Sequence, residues 1–485
     1  MLLLVCAAST GATDLKMGSL FQNHMVLQRA MPVPVWGSSA PGTKITIAFA
    51  GQTKSSIAGK DGKWMVKFDP MPASCEGRTM KITSSTTDAQ PLTLTDVLVG
   101  EVWICSGQSN MQYGWGKESL PMYNWGGDPV LAALAEDARK KPIRNFSVPT
   151  NVSFTPNEEC KGKWSTDISG SAVAFGFSYY LQKALDVPVA VIVSCWGSSS
   201  IEGWMPLDMT QQLPHYKKMM DDFQASDKAK SRVSAAMKKG IRHGMVFVRK
   251  QPNLLYNAML HPVIPYACRG MVWYQGEANA GKPEEYARSL PLWTKRLRKG
   301  WGSDDFHLLV VMLPGYGAVD GRPDAKSWAL FRDTQMQILK LPHTSVANTI
   351  DLGDPKNIHP ADKAPLCERL ALLACRDVNG LKVVAQGPTY KDFSVKGNAA
   401  VISFSHAQGF KTTDGKLPTG FWLADADQQW YPATAAIDGN SVILKADGLS
   451  KPVACRYAFT GKPTVNLVNG AKLPAYPFRS DDWQK

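Results

Sequence analysis

Val97-Leu98-Val99-Gly100-Glu101-Val102-Trp103-Ile104-Cys105, followed one residue later by Gly107-Gln108-Ser109-Asn110-Met111, is an apolar run that breaks into a turn. Similar runs recur at Val189-Ala190-Val191-Ile192-Val193, Met271-Val272-Trp273-Tyr274 and Leu308-Leu309-Val310-Val311-Met312-Leu313. Runs without polar alternation suit strands buried on both faces, as in a parallel sheet covered by helices. Between them, Val173, Phe177, Tyr180 and Ala184 recur at helical spacing, as do Tyr286, Leu290, Trp293 and Leu297, and then Leu366, Leu370 and Leu373. The pattern predicts an α/β centre with a parallel sheet and helices on both faces.

Outward from this centre the chain changes character. Residues 18 to 97 alternate polar and apolar, as in Ile45-Thr46-Ile47-Ala48-Phe49, between turns at Pro41-Gly42, Gly51 and Gly62, which predicts a small sandwich of antiparallel strands. Beyond about residue 385, Ala400-Val401-Ile402-Ser403-Phe404 and Ser441-Val442-Ile443-Leu444 predict a second β-rich region. A chain of 485 residues exceeds what one core usually organises. The expected division is a leader at 1–14, a β-sandwich at 15–97, an α/β domain at 98–382 with a basic helical insertion at about 210–250, and a β-rich domain at 383–485.

Ser109 stands where a strand end gives way to a loop, a place that can expose a hydroxyl and surround it with backbone N–H donors. Such a hydroxyl becomes a nucleophile only if a base takes its proton and donors stabilise the oxyanion formed on attack. Among only eight histidines, His359 lies in the Gly/Asp/Pro/Asn-rich loop Asp351-Leu352-Gly353-Asp354-Pro355-Lys356-Asn357-Ile358-His359-Pro360, just after the apolar Val346–Ile350 stretch. It is the candidate base. His24, His261 and His406 sit near apolar segments and read as packing or hydrogen-bonding residues. No Cys-x-x-Cys or His-x-x-x-His spacing occurs, so neither a metal nor another cofactor is expected.

Two further blocks accompany these, Ser194-Cys195-Trp196-Gly197-Ser198-Ser199-Ser200-Ile201-Glu202-Gly203-Trp204-Met205 and Val272-Trp273-Tyr274-Gln275-Gly276-Glu277-Ala278-Asn279. In order, the four blocks resemble those of the SGNH hydrolase superfamily, and most closely the sialate O-acetylesterase family. Upstream, Ser19–Arg29 and Pro32–Gly37 are similar to that family's amino-terminal β region, so the resemblance spans roughly residues 15 to 380. It implies an SGNH-hydrolase-like doubly wound parallel sheet and removal of O-acetyl groups from sugars, sialic acid first. It also implies Ser109 as nucleophile, His359 as base, and Ser109, Gly197 and Asn279 as oxyanion donors, with Gln108, Trp196 and Gln275 near the substrate. Two acids compete to orient His359. The common pattern puts an aspartate three residues before the histidine, but Lys356 stands there and Asp354 lies two residues earlier. In related xylan acetylesterases a Gln-Gly-Glu motif supplies the acid, which favours Glu277. An acetylated xylan or other polysaccharide on the same machinery, and a non-catalytic carbohydrate-binding protein, are the alternative readings.

The net charge of +13 is concentrated between residues 217 and 250, from Lys217 and Lys218 to Arg249 and Lys250. These charges read first as those of a solvated helical insertion, and otherwise favour an anionic partner, an acidic sugar or an anionic surface ahead of nucleic acid, since no binding motif accompanies them. Trp196, Trp204, Trp273 and Tyr274 flank the blocks and could stack on a sugar or fill the core. Arg332, in the helix-like Trp328–Arg332, could reach a substrate carboxylate or lie exposed on its helix. The start Met1–Ala12 reads as part of a secretory signal and predicts a secreted or periplasmic protein. No apolar run approaches the roughly 20 residues of a membrane span. Cys105 and Cys195 read as buried thiols. The oligomeric state is open.

Overall fold

The computed structural model describes residues 15–85, 90–116, 127–241, 244–323 and 327–483, so the expected leader at 1–14 lies outside the described residues. Its organising element is the strand Leu92–Gly107, sixteen residues long. The second half of this strand pairs in parallel with Val189–Cys195 on one side and Gly270–Tyr274 on the other. Ile143–Ser147 continues the sheet beyond the first neighbour, and His307–Val311 and Thr344–Ala347 continue it beyond the second, all in parallel. Lys163–Ser165 closes one edge in the antiparallel sense. The apolar runs therefore became the buried strands of one sheet, and the strand centres have no access to water.

Helices pack on this sheet through aromatic side chains. Phe177 of helix Ala172–Leu185 meets Trp103 edge-on at 5.4 Å, and Trp293 of helix Pro283–Trp301 meets Trp273 at 4.4 Å. Trp103 sits beside Gly270 in register, three residues before Trp273, so the two indoles point to opposite faces of the sheet. Both helices follow the spacing read from the sequence, as does Ala364–Asp377.

The first half of Leu92–Gly107 belongs to the amino-terminal β region. It pairs antiparallel with Ser74–Ser84 and parallel with Val26–Gln28, and Lys44–Phe49 joins Ser74–Ser84. A second sheet, built from Lys16–Met17, Val33–Ser38 and Lys63–Phe68, faces it, with Phe49 and Phe68 in contact at 6.2 Å. The boundary expected at 97/98 falls inside the shared strand, and one apolar core runs from Val35 and Ile47 through Val99 to Trp273. The carboxy-terminal strands build a separate core around Ile402, Phe404, Leu423, Val442 and Tyr457. Between residues 210 and 250, helices Pro214–Ala225 and Asp227–Lys238 carry Lys217, Lys218 and Lys230 in ion pairs with Asp221, Asp222 and Asp227. These lysines are those of a solvated helical insertion. Arg249 differs, being buried over the Trp196 ring at 5.5 Å. No described helix is long and apolar enough to cross a membrane.

Candidate active site

Ser109 begins the short helix Ser109–Gln112 directly beyond the long strand. Gly107 makes the sharp exit possible. Its φ is +142°, and a Cβ there would lie 2.1 Å from the Tyr274 carbonyl oxygen, so only glycine fits. Across the sheet's carboxyl end, the loop after Thr344–Ala347 brings His359 back, and its Nε2 lies 2.8 Å from Ser109 Oγ although 250 residues separate them. Burial, and behind it the positive charge of Lys363, hold His359 down at about 4, so the imidazole is unprotonated at neutral pH.

Neither candidate acid bonds His359 among the described residues. Glu277 Oε1 accepts from Asn110 Nδ2 at 2.5 Å, and its Oε2 is buried with no hydrogen-bond partner among the described residues. Asn110 Nδ2 also donates to the Ile358 carbonyl at 3.0 Å, so among the described residues Glu277 is linked to the histidine loop through Asn110. Burial raises the Glu277 pKa against the lowering influence of Asn110. Asp354 Oδ1 accepts from the Lys356 and Asn357 N–H groups at 2.7 and 2.9 Å and so shapes the loop itself.

The expected oxyanion donors divide. The Ser109 N–H has no acceptor among the described residues. Gly197 lies against the nucleophile, since a Cβ on it would be 3.2 Å from Ser109 Cβ, and its N–H donates to Gln112 Oε1 at 3.0 Å. Asn279 departs from the expectation. Its Nδ2 donates to both oxygens of buried Glu202 at 3.1 Å, and its Oδ1 accepts from Ile201 N and Gln275 Nε2, so the side-chain amide is committed to the protein.

The expected substrate contacts are also structural. Gln275 Nε2 donates to Gln108 Oε1, the Ser199 carbonyl and Asn279 Oδ1, tying three loops together. Gln108, Gln275 and Trp196 are all buried, and Trp204, Trp273 and Tyr274 are core aromatics likewise. Trp273 meets Trp204 edge-on at 6.2 Å and Trp293 at 4.4 Å, so these indoles pack on one another. Arg332 is neither exposed nor aimed at this site. It is buried, donates Nη2 to the Thr460 and Gly461 carbonyls, and joins helix Ser327–Met336 to the carboxy-terminal region. His24 and His261 hydrogen-bond to Asp96 and to the Asn157 carbonyl, as read. The described cysteines are free thiols, Cys105 and Cys195 buried among them.

Beside these loops opens a cavity of about 450 Å³, lined by Ser200, Lys218, Lys250, Asn279, Lys282 and Glu285 among others. Glu202, His215 and Glu285 bring possible metal-ligand atoms within 4.8 Å of one another there. Lys282 already pairs with Glu285 at 3.0 Å and Asn279 with Glu202, so a metal ion would have to displace built-in donors. Asn110, Gln112, Glu202 and Lys363 were missed in the sequence. Asn110 and Gln112 share the helix of Ser109, and Lys363 follows His359 by four residues. Adjacency was the only available signal.

Comparison with known proteins bears on this arrangement. A family model described as carbohydrate esterase, sialic acid-specific acetylesterase, matches residues 245–372. The sialate O-acetylesterase of Rattus norvegicus is 27% identical over 99% of this chain and 96% of its own, and that of Homo sapiens is 26% identical over 98% and 94%. The crystal structure of a carbohydrate acetylesterase from Xanthomonas citri superposes with a TM-score of 0.81 at 32% identity, covering 97% of this chain and 100% of that one. The chain belongs to the sialate O-acetylesterase family of carbohydrate esterases.

Proposed function

We propose that this chain is a carbohydrate O-acetylesterase that releases acetate from acetylated sugar hydroxyls, sialic acid first among them, on an SGNH-type doubly wound scaffold. Family membership supports the reaction class, and the 2.8 Å contact between Ser109 Oγ and His359 Nε2 carries the mechanism. Ser109 Oγ attacks the acetyl carbonyl while His359 Nε2 takes its proton. The tetrahedral oxyanion collapses, the sugar oxygen leaves with the proton from the imidazolium, and acetyl-Ser109 remains. His359 then deprotonates water, which attacks the acetyl carbonyl, and acetate departs as Ser109 regains its proton. The Ser109 N–H and the Gly197 N–H are the oxyanion donors, the latter after the substrate displaces Gln112 Oε1. Asn279 shapes the wall through Glu202 instead of donating.

The cavity beside Asn279 is the proposed sugar subsite. Polyhydroxylated rings suit its mixed lining, and Lys250, which forms no ion pair among the described residues, suits the carboxylate of an acidic sugar. Acetylated xylan or another polysaccharide is the second reading, favoured by the pairing of Lys217, Lys218 and Lys230 with aspartates, which leaves less of the basic excess for an acidic sugar. Acetate release from O-acetylated sialic acid and from acetylated xylan, by the unmodified protein and by Ser109→Ala, tests both. Activity surviving in Ser109→Ala, or absent on both substrates, contradicts the proposal, and glycan binding without hydrolysis would favour a binding protein. Export is part of the proposal, resting on the apolar Met1–Ala12 segment.

A further inference from the structure

Lys363 is 1% exposed, unusual for a lysine. Its Nζ lies over the rings of Tyr113 and Tyr274, at 4.8 and 5.4 Å from their centres. It donates to Asn110 Oδ1 at 2.6 Å. No carboxylate lies within ion-pair distance of it among the described residues, and burial brings its pKa down to about 7 against the raising influence of Glu277, Asp128 and Asp362 from further away. Burying an ammonium so is costly, and a methionine of similar length would fill the space more cheaply. The chemistry of the contact supplies the reason to keep it. In its protonated form, which prevails below about pH 7, the lysine only donates, so it accepts no orientation of the Asn110 amide but the one with Oδ1 towards it. Nδ2 must then face the other way, where it meets the Ile358 carbonyl and Glu277 Oε1.

We propose that Lys363 is a positioning residue that, by fixing the amide of Asn110, clamps the histidine loop to the nucleophile helix. Asn110 follows Ser109 and Ile358 precedes His359, so the Asn110–Ile358 bond lies alongside the Ser109–His359 bond and holds the same two segments together. The lysine's own place is set by its backbone, since the Lys363 and Ala364 N–H groups donate to Asp128 Oδ2 at 2.7 and 2.9 Å. The lysine charge also faces His359 and disfavours its protonation. This inference rests on the catalytic reading of Ser109 and His359.

Steady-state kinetics on an acetylated substrate across pH test it. Lys363→Met should lower kcat by about tenfold or more through misplacement of the base, with KM within about twofold. It should also move the acid limb of the rate profile to higher pH, as both the lost lysine charge and any water let in beside His359 would, so the double variant carries the distinction from a loss of packing. In an Asn110→Ala background the same change should add nothing further to the loss in kcat, because the lysine positions the base through that amide. Unchanged kcat and an unmoved acid limb, or losses that multiply in the double variant, overturn the inference. Should Lys363→Met not fold, the isosteric Asn110→Asp decides. It keeps an oxygen for the lysine but turns a second oxygen on Glu277 and the Ile358 carbonyl, so about tenfold or greater loss is expected and wild-type kcat overturns the proposal. Ser109→Ala separates the layers: acetate release surviving there sinks the catalytic reading, whereas its loss beside fully active Lys363→Met and Asn110→Asp sinks only the clamp.

Discussion

A general base is useful only while unprotonated, and burial has moved the imidazole of His359 well away from its free value of about 6.5. With the folded value at about 4, kcat/KM should hold from neutrality down to about pH 5 and fall by half near pH 4. An acid limb near 6.5 in a pH–rate series would mean that the cleft admits more water than its packing suggests. Substitution of the two acids should separate their duties. Asp354→Asn preserves the oxygen that caps the loop and should cost less than about threefold, whereas Glu277→Gln removes the charge beside Asn110 and Lys363 and should cost at least tenfold in kcat. Equal losses would contradict the assignment of Asp354 to loop shape. Ser109 and His359 were legible because a strand end and a scarce residue type each mark a position locally. Lys363 was not, since it was one of 54 basic residues and its bond to Asn110 spans 253 positions. The committed amide of Asn279 was equally hidden, because nothing nearby in the chain announces that Glu202 faces it.

Helix starts show how the elements are tied together. Asp128 caps its own helix, Pro129–Arg139, with Oδ1 on the Val130 and Leu131 N–H groups. Its Oδ2 caps helix Ala364–Asp377, which offers no side-chain cap of its own. One buried carboxylate thus serves two helices. Asp128→Ala should lower unfolding free energy by roughly 1–4 kcal/mol, two caps' worth, and urea denaturation measures it. A loss below about 1 kcal/mol would mean that one helix finds another acceptor. The helices themselves were readable from apolar spacing, and the strands from apolar runs. The shared cap was not, because capping patterns in sequence describe a residue and the helix that follows it, not a second helix 235 positions on. The same limit applies to Arg332, whose helix was read correctly while its burial against Thr460 and Gly461 was not.

At the scale of the molecule, composition separated β, α/β and β stretches, but it could not reveal that the first two share a strand and a core. We infer that residues 15–382 fold as one unit and that the carboxy-terminal region is a second, docked partly through Arg332. A chain starting at residue 98 should therefore fail to accumulate as soluble, cooperatively folded protein, as read by thermal melting; a stable active fragment would show the amino-terminal strands to be dispensable. The reason is geometric. Leu92–Gly107 is gripped by Ser74–Ser84 and Val26–Gln28 at one end and delivers Ser109 at the other. A slip of one residue in that grip would slide the hydroxyl by about 3.3 Å, more than the tolerance of a hydrogen bond, and would turn every side chain of the strand to the opposite face. The outlying β layer is in this sense a ruler: it sets how far the nucleophile protrudes from the sheet.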